Sequence, residues 1–164
     1  MSLGWFGDLI ELVFLSLIGF GVFFGLAFWG LYRSSEMWRA LAARYGQAKH
    51  TPVLARKIPE TIVISEAGSN GWRLGWRQGY ALYSWTIIEV LEDGLLISAI
   101  PPVNLVCKEI YLPFDMMTIK SHPWMLWQEP YAISMKKAPD LMLIIGLDTS
   151  QWIRRNTGYA PFPP

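Results

Sequence analysis

The chain has very few of the residues that bind metals or act as nucleophiles: one cysteine and two histidines among 164 residues. A single cysteine, Cys107, cannot form a disulfide within the chain, which suits a reducing compartment such as the cytoplasm. His50 and His122 are far apart and show none of the ligand spacings of zinc sites. We therefore expect no metal, no cofactor and no enzymatic activity.

Two chemical alternatives remain open at this level. Cys107 and His122 could act as nucleophile and base, although a small buried thiol and a surface imidazole explain these residues more simply. Glycines near Arg73 and Arg77 could form an anion-binding loop. However, the chain has no phosphate-loop or dinucleotide-binding fingerprint, so a turn or bulge is the better interpretation.

Positive charge is absent from the first 32 residues, and residues 12–32 carry no charge of either sign. A helix of that length extends about 32 Å, enough to cross a bilayer core of roughly 30 Å. A cleaved signal peptide would need a basic N-terminal region, a shorter apolar run and a small-residue cleavage site, which this segment lacks. We predict a transmembrane helix over residues 12–32, preceded by a short segment, 1–11.

Basic residues are concentrated directly after this run, where residues 33–57 contain six Lys or Arg. By the positive-inside bias, residues 1–11 lie outside and the C-terminal part lies in the cytoplasm, at the inner (cytoplasmic) membrane. From residue 58 onward, eight Lys or Arg stand against ten Asp or Glu, a net charge of −2. An acidic balance of this kind argues against nucleic acid as a partner.

Aromatic and basic residues flank the apolar run, a pattern typical of side chains at membrane interfaces. After the run, residues 34–45 read as a helix with Trp38, Leu41 and Tyr45 on one face. Such a helix suits the surface of anionic headgroups or an outward extension of the span. The predicted membrane-interface anchors are Trp5, Trp29, Tyr32, Arg33, Trp38 and Arg39.

Two further groups of residues are candidates for contacts with other proteins. Gly21 and Gly25, four residues apart in the span, would let a second helix approach closely. Trp124 and Trp127 lie in a proline-bounded segment and could complete the domain core, dip into the membrane interface or contact a partner. We predict helix packing at the two glycines and partner contact at the two tryptophans.

The region after the span divides into a connecting segment and a domain. Residues 47–59, with two prolines and mixed charge, read as a linker. The juxtamembrane helix and linker are therefore assigned to residues 33–57, and the domain to residues 58–164.

Within the domain, short β-branched and aromatic runs alternate with turn residues. Asp93 and Gly94 between two apolar runs predict a hairpin, and residues 151–155 predict a short helix before a proline-rich tail. We expect a mainly-β domain, a small antiparallel barrel or sandwich closed by a C-terminal helix. The predicted strands cover residues 61–65, 80–91, 95–100, 109–112, 116–120, 131–136 and 141–147.

Short segments of the domain resemble a known signature. Asp93-Gly-Leu-Leu-Ile-Ser98, followed by Leu112-Pro-Phe-Asp115, resembles the "DGLxLS … IPWxxI" pattern of small uncharacterised bacterial single-pass membrane proteins, with Phe114 in place of the Trp. Residues 38–45 resemble the "WxxLAxxY" segment that precedes the domain in those proteins. The resemblance implies a cytoplasmic pleckstrin-homology-like β domain, a strand-rich barrel with one terminal helix. It implies no activity.

Two classes of function fit these observations. The preferred hypothesis is a non-enzymatic accessory or scaffold subunit that stabilises or helps assemble a bacterial membrane protein complex, for example a photosynthetic or respiratory one. Its partners would be the bilayer and other integral membrane proteins, with no small-molecule substrate. The alternative is a membrane-anchored module that binds lipid headgroups or peptides. It would need a basic pocket, for which the candidates are Arg73, Arg77, Lys136 and Lys137.

Overall fold

The computed structural model describes residues 4–46, 52–67, 80–122 and 130–158, with the backbone alone described for 4–10, 59 and 80–82. Trp124, Trp127, Arg73 and Arg77 lie outside the described residues. The chain forms two compact units, residues 1–34 and residues 35–164.

The first unit is one long helix, α1, which covers Gly4–Ser34. Its apolar part, residues 11–34, has a mean hydropathy of 2.3, and none of it is buried inside the protein. No proline interrupts the segment, so the backbone hydrogen bonds can continue over its whole length. By length and composition this helix is able to cross a membrane, as the sequence predicts for residues 12–32.

The second unit contains a sheet of seven strands and two helices in its described part. The helices are α2 (Glu36–Arg44) and α3 (Leu147–Thr157). The strands are β1 (Val53–Glu66), β2 (Tyr80–Leu91), β3 (Gly94–Ala99), β4 (Ile110–Pro113), β5 (Met117–Ser121), β6 (Tyr131–Met135) and β7 (Ala138–Ile145).

All strand pairs in the sheet are antiparallel, in the order β4-β3-β2-β1-β7-β6-β5. The long strand β1 pairs with β2 from Val53 to Ser65, and with β7 only from Val63 to Glu66. It therefore joins β2, β3 and β4 on one side to β7, β6 and β5 on the other. Within the described residues β4 and β5 remain the two edges, so the sheet is open and is not a closed barrel.

One face of the sheet lines a single hydrophobic core. Alternate residues of β1 and β7, including Ile62, Ile64 and Leu143, belong to the same cluster as residues of the other five strands. Because one face of every strand meets one core, the sheet must curl around it. Trp38 from α2 and Ile153 from α3 complete the cluster.

The part of the sheet formed by β1, β7 and β6 is buried on both faces. Val63, Ala132, Met142 and Ile144 form a second apolar cluster on the face opposite the core. Residues 141–145 are consequently all buried, which explains why this strand reads as a continuous apolar run.

The predicted boundary at residue 58 is wrong, because the compact unit begins at Ser35 and β1 begins at Val53 inside the predicted linker. Pro59 can belong to a strand because the register shifts between Lys57 and Glu60. A residue without an N–H group is tolerated at such an irregularity. The C-terminal helix is longer than the predicted 151–155 and ends at Gly158, which has a left-handed φ of 64°.

Candidate functional site

The indole of Trp38 fixes the start of α2 in the domain core. The side chain is fully buried, and its ring N–H donates a hydrogen bond of 2.5 Å to the carbonyl oxygen of Lys108. Its ring meets that of Tyr83 edge-on, with centroids 5.0 Å apart. The backbone N–H of Trp38 donates to the Tyr83 hydroxyl at 3.4 Å, and burial raises the pKa of this phenol. Both aromatic residues thus have their polar atoms satisfied inside the core.

This position corrects the prediction that Trp38 is a membrane-interface anchor. Its ring is enclosed by the protein and cannot reach headgroups. The neighbouring predicted anchor, Arg39, is half-buried, and its charge acts on both Tyr83 and Cys107. The apolar stripe of α2 was recognised correctly from the sequence, but it packs on the β domain, since helical periodicity does not identify the surface that a stripe covers.

The far end of α2 is tied to two distant parts of the sheet. The hydroxyl of Tyr45 accepts a hydrogen bond of 2.9 Å from the backbone N–H of Lys137, in the turn between β6 and β7. The carbonyl oxygen of Gly46 accepts one of 3.3 Å from Tyr111 in β4. The helix therefore connects strands from both halves of the sheet and is a structural part of the domain.

An ion pair between Arg44 and Asp140 also attaches this end of α2 to strand β7. Its hydrogen bond raises the pKa of Arg44 and lowers that of Asp140. Because the carboxylate pKa is lowered, any stabilisation from the pair is present at neutral pH and is lost as the pH falls through the folded-state pKa. Both groups are exposed, so salt also weakens the pair.

The single thiol, Cys107, is buried beside the first turn of α2. Burial raises its pKa to about 11, although a hydrogen bond with Ser35 and the charge of Arg39 act in the opposite direction. A thiol with this pKa is protonated at neutral pH and is a poor nucleophile. His122 lies just after β5, where its backbone N–H donates to Pro130 at 2.9 Å. These surroundings favour a structural role for Cys107.

Alkylation of Cys107 should be at least about 100-fold slower in the folded chain than after denaturation in guanidinium chloride, because the thiol is buried and its thiolate fraction is reduced. The measurement is iodoacetamide incorporation at pH 8, followed by mass spectrometry of the full-length protein in detergent. The matched control is Leu105→Cys in a Cys107→Ala background, since Leu105 is 75% exposed in the same loop. Equal rates for folded and denatured Cys107 would contradict the prediction.

The two segments of the sequence signature lie side by side in the sheet. Gly94 pairs with Pro113, and the backbone N–H of Phe114 donates to the carbonyl oxygen of Asp93 at 2.9 Å. A Cβ atom at Gly94 would lie 2.5 Å from the carbonyl oxygen of Leu112. The glycine is therefore required by the close approach of β4.

A shallow recess of about 510 Å³ lies between these segments, lined by Asp93, Tyr111, Pro113, Phe114 and Asp115. Burial raises the pKa of Tyr111, and the hydrogen bond and charge of Asp93 and the charge of Asp115 raise it further. The two carboxylates make this recess unsuited to an anionic headgroup.

The candidate cations Lys136 and Lys137 lie on the β6–β7 turn, outside the lining of that recess. The Lys136 ammonium donates a hydrogen bond of 2.7 Å to the carbonyl oxygen of Asp115. The Lys137 ammonium lies 5.8 Å from the centre of the Tyr45 ring. Both lysines already contact the protein, and neither lines the recess.

The charged residues of β1 also have structural partners. The buried carboxylate of Glu89 accepts a hydrogen bond of 2.5 Å from Arg56 across the β1–β2 pair. Lys57 lies 2.7 Å from the Glu60 carboxylate and donates to the Thr149 hydroxyl of α3 at 2.9 Å. These side chains hold the sheet and α3 together.

The predicted interface residues of α1 are exposed where the structure describes them. Trp29, Tyr32 and Arg33 are exposed, and the Arg33 guanidinium lies 6.0 Å from the centre of the Trp29 ring. Trp5 lies within the helix, with its backbone alone described. This geometry is compatible with an aromatic and basic group at a membrane surface.

The predicted helix-packing residues, Gly21 and Gly25, have open space around them. A Cβ atom at either position would meet no atom within 4 Å. The described part of the chain therefore supplies no helix for this face, and packing against a partner stays a prediction.

Sequence reasoning missed the two most exposed large apolar side chains in the described part of the domain. Trp85 in β2 is 62% exposed and Leu105, in the loop between β3 and β4, is 75% exposed. Trp85 belongs to a long apolar run, in which nothing local distinguishes inward from outward residues. The register irregularity of β1 and β2 between Glu60–Thr86 and Ile62–Tyr83 lies beside Trp85.

The described residues contain no group of three or more His, Cys, Asp or Glu side chains able to hold a metal ion. The described part of the domain is thus characterised by its fold, by the packed face of α2 and by the exposed side chains of Trp85 and Leu105. No family model, curated protein or solved structure matches the chain.

Proposed function

We propose that this protein is a non-enzymatic accessory or scaffold subunit that stabilises or helps assemble a bacterial membrane protein complex. The observation that carries this proposal is the integration of α2, which begins two residues after α1 ends and has Trp38 sealed in the domain core. Only Ser35 lies between α1 and α2 in the sequence, so the covalent connection between the anchor and the domain is short. Such a domain is suited to holding neighbouring integral membrane proteins.

The proposal includes the orientation of the chain. Six basic residues in 33–57, against none in 1–32, favour a cytoplasmic domain at the inner membrane. A fluorescent protein fused after Pro164 should therefore fluoresce, whereas alkaline phosphatase at the same position should be inactive, because it matures only in the periplasm. Active phosphatase in a cell without C-terminal fluorescence would reverse the topology.

We also infer a pleckstrin-homology-like arrangement for the domain. It is supported by the seven antiparallel strands, by β1 shared between the two halves of the sheet, and by the C-terminal helix α3. The same arrangement suggests the alternative function, a module that binds lipid headgroups or peptides. The acidic recess near Tyr111 and the separate contacts of Lys136 and Lys137 favour the scaffold hypothesis.

The test of the proposed function is purification of the full-length protein from its native membrane in a mild detergent, followed by identification of co-purifying proteins. A stoichiometric set of integral membrane proteins is the expected result. A monodisperse monomer that binds anionic vesicles and carries no partner would replace the scaffold hypothesis with the headgroup-binding alternative.

Replacing both Gly21 and Gly25 with Leu should reduce co-purification of the partner at least tenfold, because the added side chains fill the space where helix backbones would approach. Insertion should be unaffected, since Leu is strongly apolar. Gly30→Leu is the matched control, because Gly30 lies roughly on the opposite side of α1 from Gly21. If the double variant retains its partner as well as the control does, the glycine face is not an interface.

A further inference from the structure

The first residues of the β domain, which follow α1 in the sequence, are bonded to the loop between β3 and β4. Ser35, the first residue of the domain unit, is buried and hydrogen-bonds with the Cys107 side chain. Three residues later, the Trp38 indole bonds to the carbonyl oxygen of Lys108. The loop 100–109, between β3 and β4, therefore lies at the end of the domain that follows the membrane helix directly.

This end of the domain exposes several apolar residues close to one another in the loop and the adjoining strand. The N–H of Ile100 donates to the carbonyl oxygen of Trp85 at 3.0 Å, which sets the exposed Trp85 beside the start of the loop. Pro101 and Pro102 follow and are exposed, and Leu105 is the most exposed large apolar residue in the described part of the chain. We call these four residues, Trp85, Pro101, Pro102 and Leu105, the apolar tip.

The backbone of the loop is suited to a poorly hydrated surface. The N–H groups of Val103, Leu105 and Cys107 donate to carbonyl oxygens within the loop at 3.0–3.1 Å. The two prolines have no N–H group to satisfy. Contact with lipid would therefore leave few backbone donors without an acceptor, which is the usual cost of placing a loop near a membrane.

The short connection between the apolar helix and α2 limits the distance between this tip and a bilayer. The 24 residues of 11–34 extend about 36 Å, slightly more than a hydrocarbon core of roughly 30 Å. Ser35 follows Ser34 directly in the chain, and α2 begins at Glu36. In a bilayer spanned by α1, Ser35 and the Cys107 side chain bonded to it are therefore tethered close to the membrane surface.

We propose that the apolar tip is a second membrane contact, which dips into the headgroup region of the bilayer that holds α1. An exposed Trp is suited to this depth because its ring is apolar and its N–H can remain hydrated. Leu105 supplies apolar surface at the most protruding position, and the exposed Lys108 lies where it can meet lipid phosphates. The inference rests on the proposed membrane anchoring and adds a docking surface to it.

The test uses the full-length chain, one copy per lipid nanodisc, with a single environment-sensitive nitrobenzoxadiazole label at Leu105→Cys in a Cys107→Ala background. We expect a blue-shifted emission relative to the label in water. We also expect loss of emission when the nanodisc contains lipids with a nitroxide near the headgroup.

The matched control is Leu54→Cys with the same label, since Leu54 is 50% exposed on β1. The neighbouring Val53 pairs with Leu91, six residues along β2 from Trp85 and so about 20 Å away. The Leu54 label should report water and should be quenched little by the nitroxide lipids. A third label at Phe24→Cys, inside α1, reports whether the helix itself is in the bilayer.

Three other results would contradict the proposal. A water-like Leu105 label, or one quenched no more than the Leu54 label, overturns the proposal. A blue-shifted Leu105 label that nitroxide lipids do not quench would mean that protein covers the tip, and this also overturns it. If the Phe24 label shows a water-like emission, the proposed membrane anchoring fails, and the second contact fails with it.

Discussion

Trp38→Ala should lower the free energy of unfolding of the β domain by about 3–5 kcal/mol, the range found when large aromatic residues are removed from a core. The substitution removes a fully buried side chain, its edge-on contact with Tyr83 and the donor to the Lys108 carbonyl. The melting temperature should fall by roughly 10–20 °C. Thermal unfolding of the full-length protein in detergent, followed by near-ultraviolet circular dichroism, measures the change.

Trp85→Ala is the matched control for this experiment, because Trp85 is 62% exposed in a strand of the same sheet. Its effect should stay within about 0.5 kcal/mol, as is usual for surface positions. Similar losses for the two variants, or a near-wild-type Trp38→Ala protein, would mean that α2 is not part of the domain core.

Gly94→Ala is expected to destabilise the domain by about 1–3 kcal/mol, the usual cost of forcing extra atoms into a packed site. The new methyl group would lie 2.5 Å from a backbone oxygen of Leu112 and 2.8 Å from the Tyr111 ring. The oxygen belongs to the paired strand β4, so relief requires the backbone to move. Equilibrium unfolding in urea provides the measurement.

Gly146→Ala serves as the control for Gly94→Ala. A Cβ atom at Gly146 would meet nothing within 4 Å, and its φ of −69° is open to any residue. Its cost should remain below about 1 kcal/mol, the effect of a poorer residue before a helix. If Gly94→Ala is no more destabilising than Gly146→Ala, the close approach of β4 does not explain the glycine.

Much of the β domain could be predicted from local pattern. β2 covers residues 80–91, as predicted, and the Asp93–Gly94 turn joins it to β3. These elements follow from alternating or continuous apolar runs and from turn residues, which are properties of a few neighbouring positions. The open sheet order depends on which strands meet across the chain, and no local pattern specifies that.

The partner of α2 could not be predicted in the same way. An apolar stripe that follows a predicted membrane helix can pack on lipid headgroups or on a protein core. The basic residues of α2 favour the headgroup interpretation. The packing of α2 on the domain is determined by hydrogen bonds to residues distant in sequence. The Trp38 indole donates to the carbonyl oxygen of Lys108, and the Tyr45 hydroxyl accepts from the backbone N–H of Lys137. The exposure of Trp85 and Leu105 was missed for a related reason, since it depends on strand register and loop path.

The position of α2 has a consequence for how the protein is made. Tyr45 and its partner Lys137 are 92 positions apart in the sequence, and the core cannot close before Lys137 has left the ribosome. Helix α1 is synthesised before the domain and would be available for insertion into a membrane while the domain is still open. For the same reason, a fragment that starts at residue 58 would lack Trp38 and Leu41 and leave the core unfilled, whereas one that starts at Ser35 retains α2, α3 and the seven described strands.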